Sequence, residues 1–446
     1  MDNTIKKEDL ELFDKDVNDR ETSSLIRHTI ARNGISGSSI DETIQKSLKD
    51  TFSIDLKTGD VCNQKRSGRC WMFAGLNVLR TILIKNLKVK NFELSQAYLQ
   101  LYDKLEKCNF VLERAMELAD EPIDSRMNVF LLDSGIGDGG HFVMFTNLVK
   151  KYGVVPSSEM PDLNVSQDTG ELNTVLTSYL THAIMELREA KKKEASVLVL
   201  KRMKEGYLND IYRILSLSFG EPVKEFTLEY QDKDEKFHRT EKMTPMSFYN
   251  EYIKADLDDF VCLCDAPIEG MDEYQKYTSR FVNNVEGGDP IVFFNVPLAT
   301  LKKAALASLE GGDPIWFGSD VLAQSMRKEG ILASGIIRSN ELFSLKYTMT
   351  KSERLTYRSS FCNHAMTLTG VNVLDDKTTD RWKVENSWGK DNGFSGYFIM
   401  SDKWFDDYVY EIFVKREYVD AETLKKYDAS TLKEQSVFNT LWAMMK

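Results

Sequence analysis

Apolar residues recur along the chain in distinct rhythms, and each rhythm predicts a kind of element. From Cys70 to about Lys85 there is no Pro and one Gly, Gly75, while Trp71, Phe73, Ala74, Leu76, Val78, Leu79, Ile82 and Leu83 cover most of a helical circumference. That pattern predicts a helix packed on several sides. Phe92 to Leu99 opens a second helix, with Ser95 as its N-cap. Leu172 to Leu217 is long, helical and free of Pro, with Gly206 as its expected break, and Pro297 to Leu309 is a shorter helix. Strand patterns gather toward the C-terminal side: Trp316 to Asp320, a segment starting at His364, Trp382 to Glu385 and Gly393 to Met400, running on to about Val414. Asp375-Asp376-Lys377 predicts the turn between two antiparallel neighbours.

Less regular stretches complete the picture. Residues 1–50 are polar, with helical patches around Lys6 to Asp19 and Ser39 to Lys49, and predict an arm on the outside of the main body. Thr51 to Gly59 is an extended lead-in, and Phe226 to His238 a strand and turn. Glu286-Gly-Gly-Asp-Pro and Glu310-Gly-Gly-Asp-Pro form an echo 24 residues apart, but two copies of a turn entering a strand are similar local solutions, not a repeat array.

Composition narrows the class. A chain of 446 residues, 42% hydrophobic and 11% aromatic, is globular and long enough for a large core with sizeable insertions. Its net charge of -11 argues against nucleic acid or an anionic membrane as the main partner. The basic side formed by Lys191, Lys192, Lys193, Lys201, Arg202 and Lys204 reads by default as a solvated helix face. Six scattered cysteines make no disulfide framework, which predicts a reducing, cytoplasmic setting. The charged N-terminus carries no signal-peptide pattern, no pro-segment is evident, and no apolar run approaches a membrane span. Cys262-Leu263-Cys264 lacks a second Cys/His pair, so neither metal nor organic cofactor is expected.

The candidate chemistry lies where two of these patterns meet. Cys70 opens its helix, where unpaired N–H groups and the helix dipole favour thiolate over thiol. Gln64, six residues earlier, is near enough along the chain to hold a developing oxyanion together with the Cys70 N–H. His364 begins a strand, and Asn386 ends the next one, 22 residues later. A thiolate needs a base in reach and a third group to fix the imidazole, and these are residues of the right types. Leu132 to His141 is a glycine loop. Its Gly135-x-Gly137-x-x-Gly140 spacing formally matches a dinucleotide fingerprint, but no strand precedes it, and that reading is rejected. His141 is a second candidate base, and its place on the loop favours a substrate contact.

Gln64, Gly68, Cys70, Trp71 and Phe73 resemble the nucleophile signature of papain-like cysteine peptidases, and Asn386-Ser-Trp-Gly their asparagine signature. The 294 residues from Cys70 to His364 exceed the roughly 130 to 150 of papain itself. That surplus, with Asn363-His364-Ala365-Met366, Gly137-Asp138-Gly139-Gly140 and Lys151-Tyr152-Gly153-Val154-Val155-Pro156, resembles the bleomycin hydrolase and bacterial aminopeptidase C branch.

The resemblance implies an α+β, two-lobed papain-like fold: a helical lobe against an antiparallel, barrel-like β lobe, with large mainly helical insertions. Its expected divisions are an arm (1–50), the helical lobe (51–156), a mainly helical insertion (157–285), the β lobe (286–420) and a C-terminal arm (421–446). It implies a homohexamer acting on short peptides, with basic helix faces lining an inner channel. Backbone at Gly139 and Gly140 would approach an extended substrate, and the carboxylate of Lys446 would meet its free amine, giving aminopeptidase action. The bulky tail ending, Leu441 to Lys446, differs from the branch's small-residue ending and keeps an oligoendopeptidase as the alternative. An acyl transferase and a ring-forming binding protein are the readings from other classes.

Overall fold

The computed structural model describes residues 3–134 and 136–445. The helix predicted around Cys70 runs Cys70–Leu87, and its residues Trp71, Met72, Leu79 and Leu83 are fully buried. It stops at Lys88, whose left-handed backbone (φ 54°) lets its N–H return to Ile84 and Lys85 carbonyls. Against it pack Gln96–Glu117, capped as expected by the Ser95 hydroxyl, and Phe142–Tyr152. Gly75 is where the last of these comes closest: a Cβ there would lie 2.6 Å from the Phe145 ring.

The long helical stretch is two helices, Gly170–Lys192 and Val197–Phe219. The break falls at 193–196 and not at Gly206. Glu194 adopts a left-handed backbone (φ 58°) there, and Ser196 caps the second helix by accepting from Val199 N–H. Gly206 sits inside a helix with open space around it. The basic side is partly spent on internal pairs, Lys191 with Asp120 and Lys204 with Glu113.

The β half is one twelve-stranded sheet among the described residues. Its centre runs Phe260–Cys264, Val409–Lys415, Ile315–Ser319, His364–Val373, Thr379–Glu385 and Tyr397–Ser401. Every pairing between those neighbours is antiparallel. Toward its margins the sheet is mixed, with parallel pairs at Leu263↔Phe294, Ile399↔Ile331 and Leu432↔Lys276. The segment 157–285 thus supplies two strands to this sheet, Phe260–Cys264 and Gln275–Thr278, and a separate antiparallel pair, Glu229–Gln231 with Phe237–Arg239, besides its helices. Asp375-Asp376-Lys377 makes the expected turn, with Lys377 at φ 67°.

Two large core clusters result, with a small third one of Met326, Ile331, Ala333 and Ile336 against which Ile40, Ile44 and Leu48 of the arm pack. Of the large ones, one joins the Cys70 helix to its helical neighbours and to one face of the sheet; the other packs the opposite sheet face against the helix Leu298–Glu310. The arm carries three helices, Lys7–Asn18, Ser23–Gly37 and Glu42–Ser47, none with a buried residue. It is tied on by Arg338, whose N–H donates to Ser39 O at 2.8 Å and whose guanidinium pairs with Asp41 at 2.6 Å. No helix among the described residues is long and apolar enough to cross a membrane.

Candidate active site

The Cys70 helix begins without a side-chain cap at Arg69. Arg69 is buried and committed elsewhere, to Asp162 at 2.8 and 3.0 Å and to the Ser67 hydroxyl at 2.8 Å. The first-turn N–H groups of Cys70 and Trp71 are therefore left to stabilise the Cys70 sulfur, and the Ala365 N–H does so from the sheet. Ala365 follows His364 directly, so the chain's two distant motifs meet at that sulfur. Trp316 Nε1 donates to Trp71 O at 3.0 Å and holds the helix to the same strands.

His364 is the first residue of its strand, paired across to Ser319. Its Nε2 lies 2.9 Å from Asn386 Oδ1, which also accepts from Ser387 N–H at 2.8 Å. Two donors on one oxygen fix the amide's orientation and place the imidazole proton on Nε2. Nδ1 is then the basic nitrogen. Trp388 covers the imidazole with ring centroids 4.8 Å apart.

Gln64 is fixed from both sides. Its Oε1 accepts from the Ser387 hydroxyl at 2.5 Å, and its Nε2 donates to Ser67 O at 2.6 Å, which leaves the second N–H of that amide. Gln64 N–H donates to Ser387 O at 2.8 Å, and Gly389 N–H to Cys62 O at 3.1 Å. Gly389 has φ +79°, and a Cβ there would stand 2.4 Å from Asn63 Nδ2, so this close seam requires glycine. The oxyanion candidate and the asparagine turn are thereby zipped together.

Burial dominates the electrostatics. It pushes the Cys70 thiol up to about 11, outweighing the Ala365, Trp71 and Cys70 N–H groups that pull the other way. The helix terminus therefore acts with the expected sign but loses to desolvation. Burial likewise brings the His364 imidazole down to about 4, against the raising effect of its bond to Asn386. Each ion alone is disfavoured. A proton passed from Cys70 to His364 creates both together as a neutral pair, whose mutual attraction offsets part of that penalty.

His141 is a correction to the sequence reading. It is fully buried, with its Nε2 2.8 Å from Glu411 and its ring edge-on to Phe293, Trp316 and Phe413. Its Nδ1 accepts from Val143 N–H at 3.4 Å, capping the helix Phe142–Tyr152. It is a core residue and reaches no substrate. Cys262 and Cys362 thiols also face Glu411, at 3.7 and 3.6 Å. His141, Cys262 and Glu411 have donor atoms within 4.8 Å of one another, the spacing of a metal site. The Val143 bond, however, puts the His141 proton on Nε2, facing Glu411, and the cluster is a hydrogen-bonded one.

The glycine loop lies against the nucleophile helix. A Cβ at Gly140 would lie 2.3 Å from the Trp71 indole, so packing on that helix already requires glycine here. Gly139 O is taken by Lys107 at 2.6 Å. Asp138 reaches Gly68 N–H at 3.3 Å, and a Cβ on Gly68 would meet Asp138 Cβ at 2.7 Å. Burial raises the Asp138 carboxyl, but Lys104 and the Thr169 and Asn173 hydrogen bonds more than offset this and hold it well below the usual carboxylate range. Lys446 lies outside the described residues.

Lys104, Lys107, Asp138 and the buried Arg80–Glu385 pair were not among the sequence candidates. For Lys104 a signal existed, since it interrupts an apolar helical stripe. Lys107 has one partner a turn away, Asp103, but it reaches the loop carbonyls, as Asp138 reaches Lys104 and Arg80 reaches Glu385, across long sequence separations.

The family model for the peptidase C1-like family matches residues 4–444. The chain is 38% identical to aminopeptidase C of Listeria innocua over 427 residues, 96% of each chain. It is 41% identical to aminopeptidase G of Lactobacillus delbrueckii subsp. lactis over 424 residues, 94% of this chain and 95% of the other. The crystal structure of PepW from Lactobacillus rhamnosis HN001 superposes with a TM-score of 0.95 at 38% identity, covering 99% of both chains.

Proposed function

Because the chain belongs to the peptidase C1-like family, we propose that it is a cytoplasmic cysteine aminopeptidase that hydrolyses short peptides through a thioacyl-enzyme. The observation that carries this reading is what meets at the Cys70 sulfur: the N–H groups of its own helix start and that of Ala365, the residue after His364, whose imidazole is held by Asn386. In the reaction Cys70 attacks the scissile carbonyl while its proton passes to His364 Nδ1. The remaining Gln64 N–H and the Cys70 N–H receive the tetrahedral oxyanion. His364 delivers the proton to the leaving amine, and water then releases the acyl group. Asn386 keeps the imidazole in one tautomer throughout.

Exopeptidase over endopeptidase action is favoured by the anchoring of the tail. Phe438 sits under the Arg126 guanidinium, 3.6 Å from its ring centroid, and edge-on to Phe130; Arg358 donates to its carbonyl. Leu441 and Trp442 are buried, Trp442 against Phe293. A tail pinned this firmly is suited to block one end of the cleft. Product analysis on an unblocked peptide and its N-acetylated twin tests this. Stepwise release of N-terminal residues from the first alone is expected; internal cleavage of both would make the protein an oligoendopeptidase, and products carrying an added amine would make it an acyl transferase.

Assembly into a homohexamer is part of the same proposal. Its support is the apolar set Leu10, Leu12, Phe13 and Val17, all exposed on an arm helix that buries nothing within the chain. Sedimentation analysis giving only monomer would remove it.

A further inference from the structure

The helix Gln96–Glu117 buries a stripe that reads Ala97, Leu101, Lys104, Cys108, Val111 and Ala115, so one lysine occupies a core position. Lys107 follows at the next turn, and the two side chains are only 1% and 8% exposed. Ammonium groups are costly to bury and persist where they are fully engaged. Both engage one loop. Lys104 Nζ donates to Ile136 O at 2.6 Å and pairs with Asp138 at 2.6 Å. Lys107 Nζ donates to Gly137 O at 3.0 Å and to Gly139 O at 2.6 Å. Trp71 Nε1 takes the remaining carbonyl, Asp138 O, at 2.8 Å.

Four consecutive carbonyls, 136–139, are thus held by side chains from the nucleophile helix and its neighbour. The N–H groups of Gly137, Asp138, Gly139 and Gly140 have no acceptor among the described residues. Backbone with its acceptors engaged and its donors open is suited to receive carbonyl oxygens. Glycine at 137, 139 and 140 would otherwise give this segment wide conformational freedom. Lys107 also reaches Asp103 at 2.8 Å, whose other oxygen accepts from Asn284 at 3.0 Å, so the brace is itself braced.

We propose that Lys104 and Lys107 are positioning residues for the substrate: they hold the loop's carbonyls inward so that its N–H groups stay open to the backbone carbonyls of a bound peptide. The inference rests on the peptidase reading, and wild-type protein in the same assay separates the two. Wild type that cleaves no peptide removes the peptidase reading. Wild type that cleaves, beside a variant with unaltered KM, removes only the positioning role.

The test is steady-state kinetics of Lys107→Met and Lys107→Gln on unblocked peptides, with the rate of Cys70 alkylation by iodoacetamide and a thermal melt alongside. Methionine keeps the bulk and removes the donors; glutamine keeps a shorter donor. Lys107→Met is expected to raise KM about tenfold or more, the scale of lost charge-assisted hydrogen bonds. Lys107→Gln is expected in between, with kcat and alkylation within about threefold of wild type. A KM within about twofold of wild type in folded Lys107→Met overturns the proposal. So does an equal fall in kcat and alkylation, which marks a general disturbance. If one variant fails to fold, the KM of the other decides; if neither folds, Lys107 is a structural brace and the proposal fails.

Discussion

Arg80, ten residues beyond Cys70 on the same helix, forms a buried ion pair with Glu385, the residue immediately before Asn386. The two side chains are 2% and 0% exposed. Arg80 also donates to Asp60 O at 2.7 Å and to Cys62 Sγ at 3.3 Å, while Thr58 donates to Glu385. One charge pair thereby ties the nucleophile's helix, its lead-in and the asparagine-bearing strand end into a single unit.

Removing one partner should cost far more than removing both. Arg80→Met leaves a buried carboxylate without its cation, and a loss of about 3–5 kcal/mol in urea unfolding is expected. Arg80→Met with Glu385→Gln should recover most of it. A double variant as unstable as the single one would show that the pair's charges matter less than the guanidinium's bonds to Asp60 and Cys62.

Thiolate in the resting protein should depend on His364. Burial, only partly offset by the neighbouring N–H groups, holds the Cys70 thiol high, at about 11. In the proposed mechanism, proton transfer to the imidazole is the source of reactive sulfur at neutral pH. In His364→Gln the alkylation rate by iodoacetamide at pH 7 is expected to fall about 100-fold or more, since the thiolate fraction of an unpaired thiol drops tenfold per unit of pKa. A fall of less than about threefold would mean that the helix terminus activates Cys70 unaided.

The elements that place the site were legible because they are marked locally. An all-round apolar helix starting at Cys70, the Ser95 cap, and His364 and Asn386 at the ends of adjacent strands all announce themselves within a few residues. What the sequence concealed depends on distant partners. His141 read as a rim residue because it follows two glycines, yet Glu411, 270 residues away, draws it into the core. Gly206 read as a break because glycine weakens helices, while the actual stop, Glu194, is a residue type rarely found with positive φ. The parallel margins of the sheet arise from strands of two to five residues, too short to carry a direction in their pattern.

Gln64 should matter to turnover and not to the nucleophile. Its amide is oriented by Ser387 and Ser67, so truncation removes one prepared donor without moving the sulfur. Gln64→Ala is expected to lower kcat about 100-fold or more, the usual loss for an oxyanion donor. Alkylation of Cys70, which builds no oxyanion, should stay within about threefold. A kcat within about twofold of wild type would exclude Gln64 from that role.

Acid should destabilise the protein through His364, and the sign follows from where protons bind. Burial lowers the folded imidazole from 6.5 to about 4. Between those values the unfolded chain binds a proton that the folded chain excludes, so stability is present above about 6.5 and lost as the pH falls toward 4. To keep the thiol out of the balance, the comparison is made in Cys70→Ala, with and without His364→Gln. From pH 7 to 4 the histidine-bearing protein should lose about 3 kcal/mol more than its partner, the linkage value of such a shift. Parallel pH dependence in the two, followed by urea unfolding, would mean that the folded site accepts the proton and that His364 is less desolvated than its surroundings of Trp388 and Asn386 imply.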